Sequence, residues 1–266
     1  MATALGDWPA RCASADEDAP DADVVVRLAG HGYEAIGRYA RGLVYTCSDA
    51  WEAVNAASGL LVGAFVVQDP ALAAVHAAAV GLHRGLVLLV GESGVGKSTM
   101  AVHLTAAGGR YFGDDRMVLR LDSGAGEGIG LGLCPKLRLP LAPSFTGSRL
   151  SWLQARAIDL AGGVIGLSLR PDEKAAFGAR APLAACVLPE RTDDGSDPED
   201  RLQRATSADM VNALLRHAFA PGFDSQVLVG RLADLSRTVP CYNLRYADSA
   251  AAARVLLHAF GPALSS

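Results

Sequence analysis

The stretch that most constrains this chain is LVLLVGESGVGKSTMAVHL, Leu86 to Leu104. Five consecutive apolar residues read as a buried strand, because such a run is covered only inside a core. Three glycines at 91, 94 and 96 then free the backbone, and Lys97-Ser98-Thr99 opens an amphipathic segment. Gly91, Gly96, Lys97 and Ser98 fill every defined position of G-x-x-x-x-G-K-[ST], between a strand and a helix as that pattern demands. The physical reason is phosphate. Glycines let backbone N–H groups curl round an anion, the helix N-terminus adds partial positive charge, Lys97 reaches the outer phosphates and Ser98 can ligate Mg²⁺. The expected nucleotide-binding set is Gly91, Ser93, Gly94, Val95, Gly96, Lys97, Ser98 and Thr99. A bare glycine turn would explain the bend, but not the lysine, the hydroxyl and both flanking elements together.

The rest of the chain bounds the setting. With 266 residues, half of them hydrophobic, it can bury a sizeable core. A net charge of -4 with 20% charged residues supplies no basic field, so nucleic acid is not the expected partner. Five scattered cysteines, at 12, 47, 134, 186 and 241, form no C-x-x-C pair and suit a reducing cytosol. No signal peptide is evident and no run reaches the roughly 18 apolar residues that span a bilayer, so a cytoplasmic protein without membrane contact is expected. Nothing in the sequence fixes the oligomeric state, and a homo-oligomer stays open.

Residues 1–21, rich in Ala, Asp and Pro, read as a flexible leader, and 22–70 as a small β-rich region with strands over 23–30, 42–47 and 60–68. Residues 71–266 read as the main domain. Ala74 to Val90 reads as two buried strands round a turn at 81–85, the second feeding the glycine loop. A helix over 97–107 should stop at Gly108-Gly109, and RYFGDDRMVLRL should form strand, carboxylate pair, strand. Residues 124–132 look too glycine-rich for regular structure, and CPKLRLPLAP reads as an extended segment pinned by three prolines. Further strands are expected over 182–190 and 239–246, helices over 208–219 and 249–260, and a charged surface loop over 191–200.

Two other features carry chemistry. Asp114-Asp115 ends the strand after the glycine-loop helix. A bound triphosphate needs Mg²⁺ held by a carboxylate as well as by Ser98, and a hydroxyl acceptor needs a proton taker; two adjacent carboxylates can divide those tasks. Taken alone, GDDR can also be read as a solvated turn, the lesser alternative. His76, in an Ala/Val strand, would by itself read as a core histidine.

Together, Val75 to Leu119 resembles the catalytic core of HPr kinase/phosphorylase and its relatives, in which a histidine-bearing strand precedes the P-loop and an aspartate pair follows its helix. The resemblance implies an α/β fold: a P-loop HPr kinase / PEP-carboxykinase-like catalytic domain with a small N-terminal β-rich region. It implies ATP and Mg²⁺ as cofactors, Lys97, Asp114 and His76 as catalytic residues, Asp114 as base toward a serine hydroxyl, and Asp115 with Ser98 at the metal. Two departures stand out. Roughly 70 residues before the core are too few for the long N-terminal domain of HPr kinases proper, and their glycine-rich phosphorylase signature is not found. In its place stands CPKLRLPLAP, whose Lys136 and Arg138 can meet a substrate or phosphate, or simply be solvated cations on a strand. The shortened layout is similar to HPr-kinase-like enzymes encoded beside ribosomal peptides, including kinases of the C-terminal serine of lasso-peptide precursors. The expected activity is ATP- and Mg²⁺-dependent phosphorylation of a serine in a peptide or small protein. Alternatives are a small-molecule hydroxyl kinase and a nucleotide-gated binding protein with little turnover.

Overall fold

The computed structural model describes residues 7–8, 22–40, 43–122, 124–160, 162–192 and 202–261. The first elements among the described residues form a three-stranded antiparallel sheet in order β1 (Val24–Ala29), β2 (Gly32–Gly37), β3 (Leu43–Cys47). The chain continues into helix α1 (Ala50–Val67), 18 residues long. The strand expected over 60–68 is therefore the second half of this helix. Its β-branched and aromatic content misleads, but Asp49 caps the start by accepting from the Glu52 N–H at 2.8 Å, and the Glu52 carboxylate accepts from the Ser48 N–H at 2.7 Å. The helix lacks a simple apolar stripe because both sides are covered. It packs on the small sheet, while Val62 and Val66 join Leu72, Val118, Ile129 and Leu131 in the core beyond. By length and a mean hydropathy of 1.5 it passes as a membrane-span candidate, yet half of it is buried within the protein.

The main sheet has ten strands among the described residues. Its path runs β15 (Ala218–Phe219), β4 (Leu72–Val75), β8 (Met117–Arg120), β9 (Glu127–Ile129), β13 (Arg180–Arg191), β6 (Gly85–Val90), β5 (Ala77–Leu82), β7 (Arg110–Gly113). Strand β16 (Cys241–Tyr246) pairs with β13, and β14 (Leu202–Arg204) with β16. The sheet is mixed: β13 runs parallel to β6 and β16, whereas β5 and β7 are antiparallel neighbours. Leu86 to Val90 are all fully buried, as their uninterrupted apolar run requires, with core clusters on both faces.

Helix α2 (Lys97–Ala106) leaves β6 through the glycine loop and stops as expected, the Gly108 and Gly109 amides returning to Thr105 and Leu104 carbonyls. A three-stranded subsheet of β10 (Lys136–Arg138), β11 (Ala157–Asp159) and β12 (Val164–Leu167), with α3 (Gly147–Gln154), borders the loop side. Helices α4 (Ser207–Arg216), α5 (Ser225–Thr238) and α6 (Ser249–Phe260) complete the α/β fold. The sequence reading overlooked β2, α3 and α5, and denied regular structure to 124–132, where Glu127–Ile129 forms β9 between β8 and β13. Of the expected leader only Asp7 and Trp8 are described; Asp7 accepts from Lys174 at 2.6 Å, and Trp8 packs edge-on to Phe65 and Phe177. Most of the expected 191–200 loop, residues 193–200, lies outside the described residues. Cys47, Cys134, Cys186 and Cys241 are free and buried.

Candidate functional site

The site arises where two neighbouring segments are interrupted at the same level. His76 separates β4 from β5, and Asp114 to Arg116 separate β7 from β8. Val75 pairs with Met117 on one side of the breaks and Ala79 with Gly113 on the other, so His76 faces the aspartates. The expected single strand over 74–80 is thus two, and the break turns a histidine out of a buried run. Its Nδ1 lies 3.0 Å from the Asp115 carbonyl, so Nδ1 carries the proton and donates. Burial and then Lys97 lower the pKa of His76, against Asp115, which favours a neutral ring. The His76 N–H donates to the His217 carbonyl at 3.1 Å, and the two rings lie 5.6 Å apart.

The His76 Nδ1 hydrogen bond to the Asp115 carbonyl holds a tight turn. Asp115 has φ +56, the only non-glycine residue with positive φ among those described, and the Arg116 N–H returns to the Asp114 carbonyl at 2.5 Å. A side chain in that conformation costs on the order of 1–3 kcal/mol, which neighbouring structure must supply. The two carboxylates consequently part company. Asp115 faces the cleft. Asp114 is buried: Oδ1 accepts from the Tyr111 hydroxyl at 2.7 Å, and Oδ2 has no hydrogen-bond partner among the described residues. Desolvation and then Asp115 push the Asp114 carboxyl up to about 6, opposed by the Tyr111 and Ser98 hydroxyls and the Lys136 charge.

The glycine loop meets these groups from above. Gly91, Gly94 and Gly96 all have positive φ, and no side chain caps the first amides of α2. A Cβ on Gly96 would overlap the Tyr246 hydroxyl, which donates to the Val95 carbonyl. Lys97 is buried, and its Nζ rests on the Gly91 and Glu92 carbonyls at 2.7 and 2.9 Å. Burial lowers its pKa, against the pull of Asp115, Glu92 and Asp114.

Loop and turn open into a cleft of about 1000 Å³ whose far wall is the N-terminal region: Tyr39, Trp51, Asn55, and Gly59 and Gly63 of α1. The cleft is lined by Ser93, Gly94, Gly96, Lys97, Ser98, Thr99, His76, Asp115, Lys136 and Arg138 from the expected set. Gly91, Val95 and Asp114 lie behind it. Lys136 donates to Asn55 Oδ1 at 3.0 Å and sits 5.2 Å from the Trp51 ring centre, tying the two walls together. Burial lowers its pKa, against Asp114 and Asp115. Arg138 stands exposed at the same mouth.

Sequence reasoning missed three participants. Tyr111 carries a mid-strand hydroxyl that only the turn aims at Asp114. His217 follows α4 and reaches the site through the β15–β4 pairing, and its Nε2 lies 3.6 Å from Glu92 Oε1 of the loop. Arg116 extends its guanidinium onto Gly59. The basic residue after GDD was the one signal legible in advance. Among the described residues no cluster of three His, Cys, Asp or Glu side chains forms a self-sufficient metal site. A cation here would rest on Ser98, one or both aspartates and oxygens of its ligand. The orphaned Asp114 Oδ2 beside Ser98 fits that role.

No family model matches the chain, and no curated protein matches it. Among solved structures it is similar to the Hpr(Ser) kinase/phosphatase from Coxiella burnetii, at 16% identity and a TM-score of 0.33, over 65% of this chain and 85% of that one.

Proposed function

We propose that this chain is a Mg²⁺- and ATP-dependent kinase that phosphorylates a serine hydroxyl of a peptide or small protein. The observation that supports the reading most is the convergence of Lys97, Ser98 and Asp115 on one cleft, with Asp114 buried behind it. Phosphoryl transfer needs little covalent chemistry from a protein, but it needs phosphate oxygens held, charge neutralised and the acceptor proton removed.

The residues divide those tasks as follows. The loop amides and Lys97 hold the phosphates, Lys97 exchanging its carbonyl partners for phosphate oxygens. Mg²⁺, when bound, neutralises developing charge on those oxygens. Ser98 and Asp114 would hold it, Asp114 lying behind the cleft beside Ser98. Asp115, which lines the cleft, takes the proton from the acceptor hydroxyl as its oxygen bonds to the γ-phosphorus and the bridging oxygen leaves with ADP. This exchanges the roles that the family resemblance suggested for the two aspartates, and burial is the reason. His76 positions the turn through Nδ1–H. The cleft lies at the upper end of the size of small-molecule sites, with a second wall beyond the phosphate end, which favours a peptide acceptor. A C-terminal serine suits it further: Arg138 or Lys136 can pair the carboxylate while Asp115 addresses the hydroxyl, as in a lasso-peptide precursor.

The test is incubation with ATP, Mg²⁺ and single-serine peptides, read by mass spectrometry. Phosphoserine is expected, and amidating the peptide C-terminus should lower kcat/KM by roughly tenfold. ATP turnover that yields only free phosphate would contradict the kinase reading.

A further inference from the structure

Strand β3 is an edge strand that lacks the usual protections. Among the described residues it pairs only with β2, and its sequence LVYTC contains no charge, proline or glycine. Leu43, Val44 and Tyr45 are 41, 48 and 47% exposed. The opposite edge, β1, is guarded by Arg27, which is ion-paired to Glu34 across the sheet. Edges left long, flat and apolar recruit another strand, which is why folded proteins normally place charge, proline or a bulge on them.

Its position gives the missing protection a use. Leu43 and Tyr45, two apart on one face of β3, line the same cleft as Lys97 and Ser98. Among the described residues, that cleft is lined by five cations, Lys97, Arg116, Lys136, Arg138 and Arg191, against the single carboxylate of Asp115. We propose that β3 is the substrate-docking strand: an extended acidic segment of the acceptor polypeptide adds to its free edge as a fourth strand and leads the serine into the cleft. The five residues of β3 span about 16 Å, enough for several main-chain hydrogen bonds, while side chains at alternate positions reach Leu43 and Tyr45. The inference rests on the kinase reading for the fate of the serine, but strand addition is measurable without catalysis.

The probes are two synthetic, fluorescently labelled, Glu/Val-rich peptides ending in serine, of about six and about eighteen residues, the longer able to cover a whole strand. Binding to the full chain is read by anisotropy and phosphorylation by mass spectrometry. The long peptide should bind at least tenfold more tightly. N-methylating every second backbone amide should abolish that advantage in one register and spare it in the other, because only one row of amides faces the partner strand. Val44→Glu, a site outside the cleft, should weaken the long peptide about tenfold and leave the short one unchanged. Equal affinity of both lengths, or indifference to methylation in both registers, overturns strand addition; that is also the result if another part of this chain or a second copy already covers the edge. Strand-like binding without phosphoserine would leave docking standing and sink the kinase reading.

Discussion

The loop-side wall of the cleft, with Lys97 and Asp114 buried and Ser98, His76 and Asp115 half-buried, is charged and bonded to its own backbone, whereas the facing wall of Tyr39, Trp51, β3 and the glycine side of α1 is aromatic, small and partly exposed. The first wall is built for fixed geometry. Its strands are covered on both faces, and a strained aspartate is held by a histidine hydrogen bond. The second is shaped by what is missing: a Cβ on Gly63 would overlap the Tyr39 hydroxyl, and one on Gly59 would lie 2.8 Å from the Arg116 guanidinium. The difference suggests a division of labour in which one wall moves the phosphoryl group and the other seats the acceptor.

The largest effect should come from Lys97→Ala on the first wall. Losing the phosphate-holding cation should lower kcat by about a thousandfold or more while circular dichroism and unfolding midpoint change little. Near-normal turnover in a folded variant would remove the loop from the mechanism.

The two aspartates sharpen the picture within that wall. Asp115→Asn should cut kcat by roughly a hundredfold and leave Mg²⁺-dependent ATP affinity within a few fold, whereas Asp114→Asn should remove most of that metal dependence. ATP titrations with and without Mg²⁺ separate the outcomes, and a reversed pattern would restore Asp114 as the base.

For the facing wall, Gly63→Ala is the clean perturbation. Alanine is better than glycine inside a helix by about 1 kcal/mol, so α1 should persist while Tyr39 is displaced into the cleft. Peptide KM should rise about tenfold with ATP affinity unchanged. Equal loss of both would mean that the walls are not separable.

The smallest effect is on stability. The Asp114 carboxyl sits at about 6 in the folded protein, raised by burial from 3.8. Protonation therefore favours the folded state: this stabilisation is complete below about pH 4 and lost as pH rises through 6, on the order of 3 kcal/mol. Without nucleotide or metal, Asp114→Asn should match the parent near pH 4 and melt a few degrees higher above pH 7. A variant less stable at pH 7 would show that the charged carboxylate is a net structural asset.

The same contrast governs what could be read from sequence. The first wall was legible because its constraints are local: a run buried on both faces leaves a glycine loop, a lysine and a helix in consecutive order, and the GDD pair sits one strand later. What was not legible depends on pairing across the sheet. Nothing local announces that His76 interrupts a strand, that Tyr111 aims at Asp114, or that His217 returns to the loop through β15. The facing wall was misread because Leu60 to Gln68 has strand-like composition, whereas the Asp49 and Glu52 caps and burial on both sides make it helix. Capping residues ahead of an apolar run were the signal available.

The division of labour is tested most directly by following the γ-phosphate of labelled ATP in the full chain at a fixed, sub-saturating concentration of a C-terminal-serine peptide, comparing the parent with Gly63→Ala. The account predicts label mainly on serine in the parent, and a shift of about tenfold in the serine-to-water ratio toward water in Gly63→Ala, with total ATP consumption falling far less than peptide phosphorylation. An unchanged ratio, or label that never reaches serine in either protein, would contradict it.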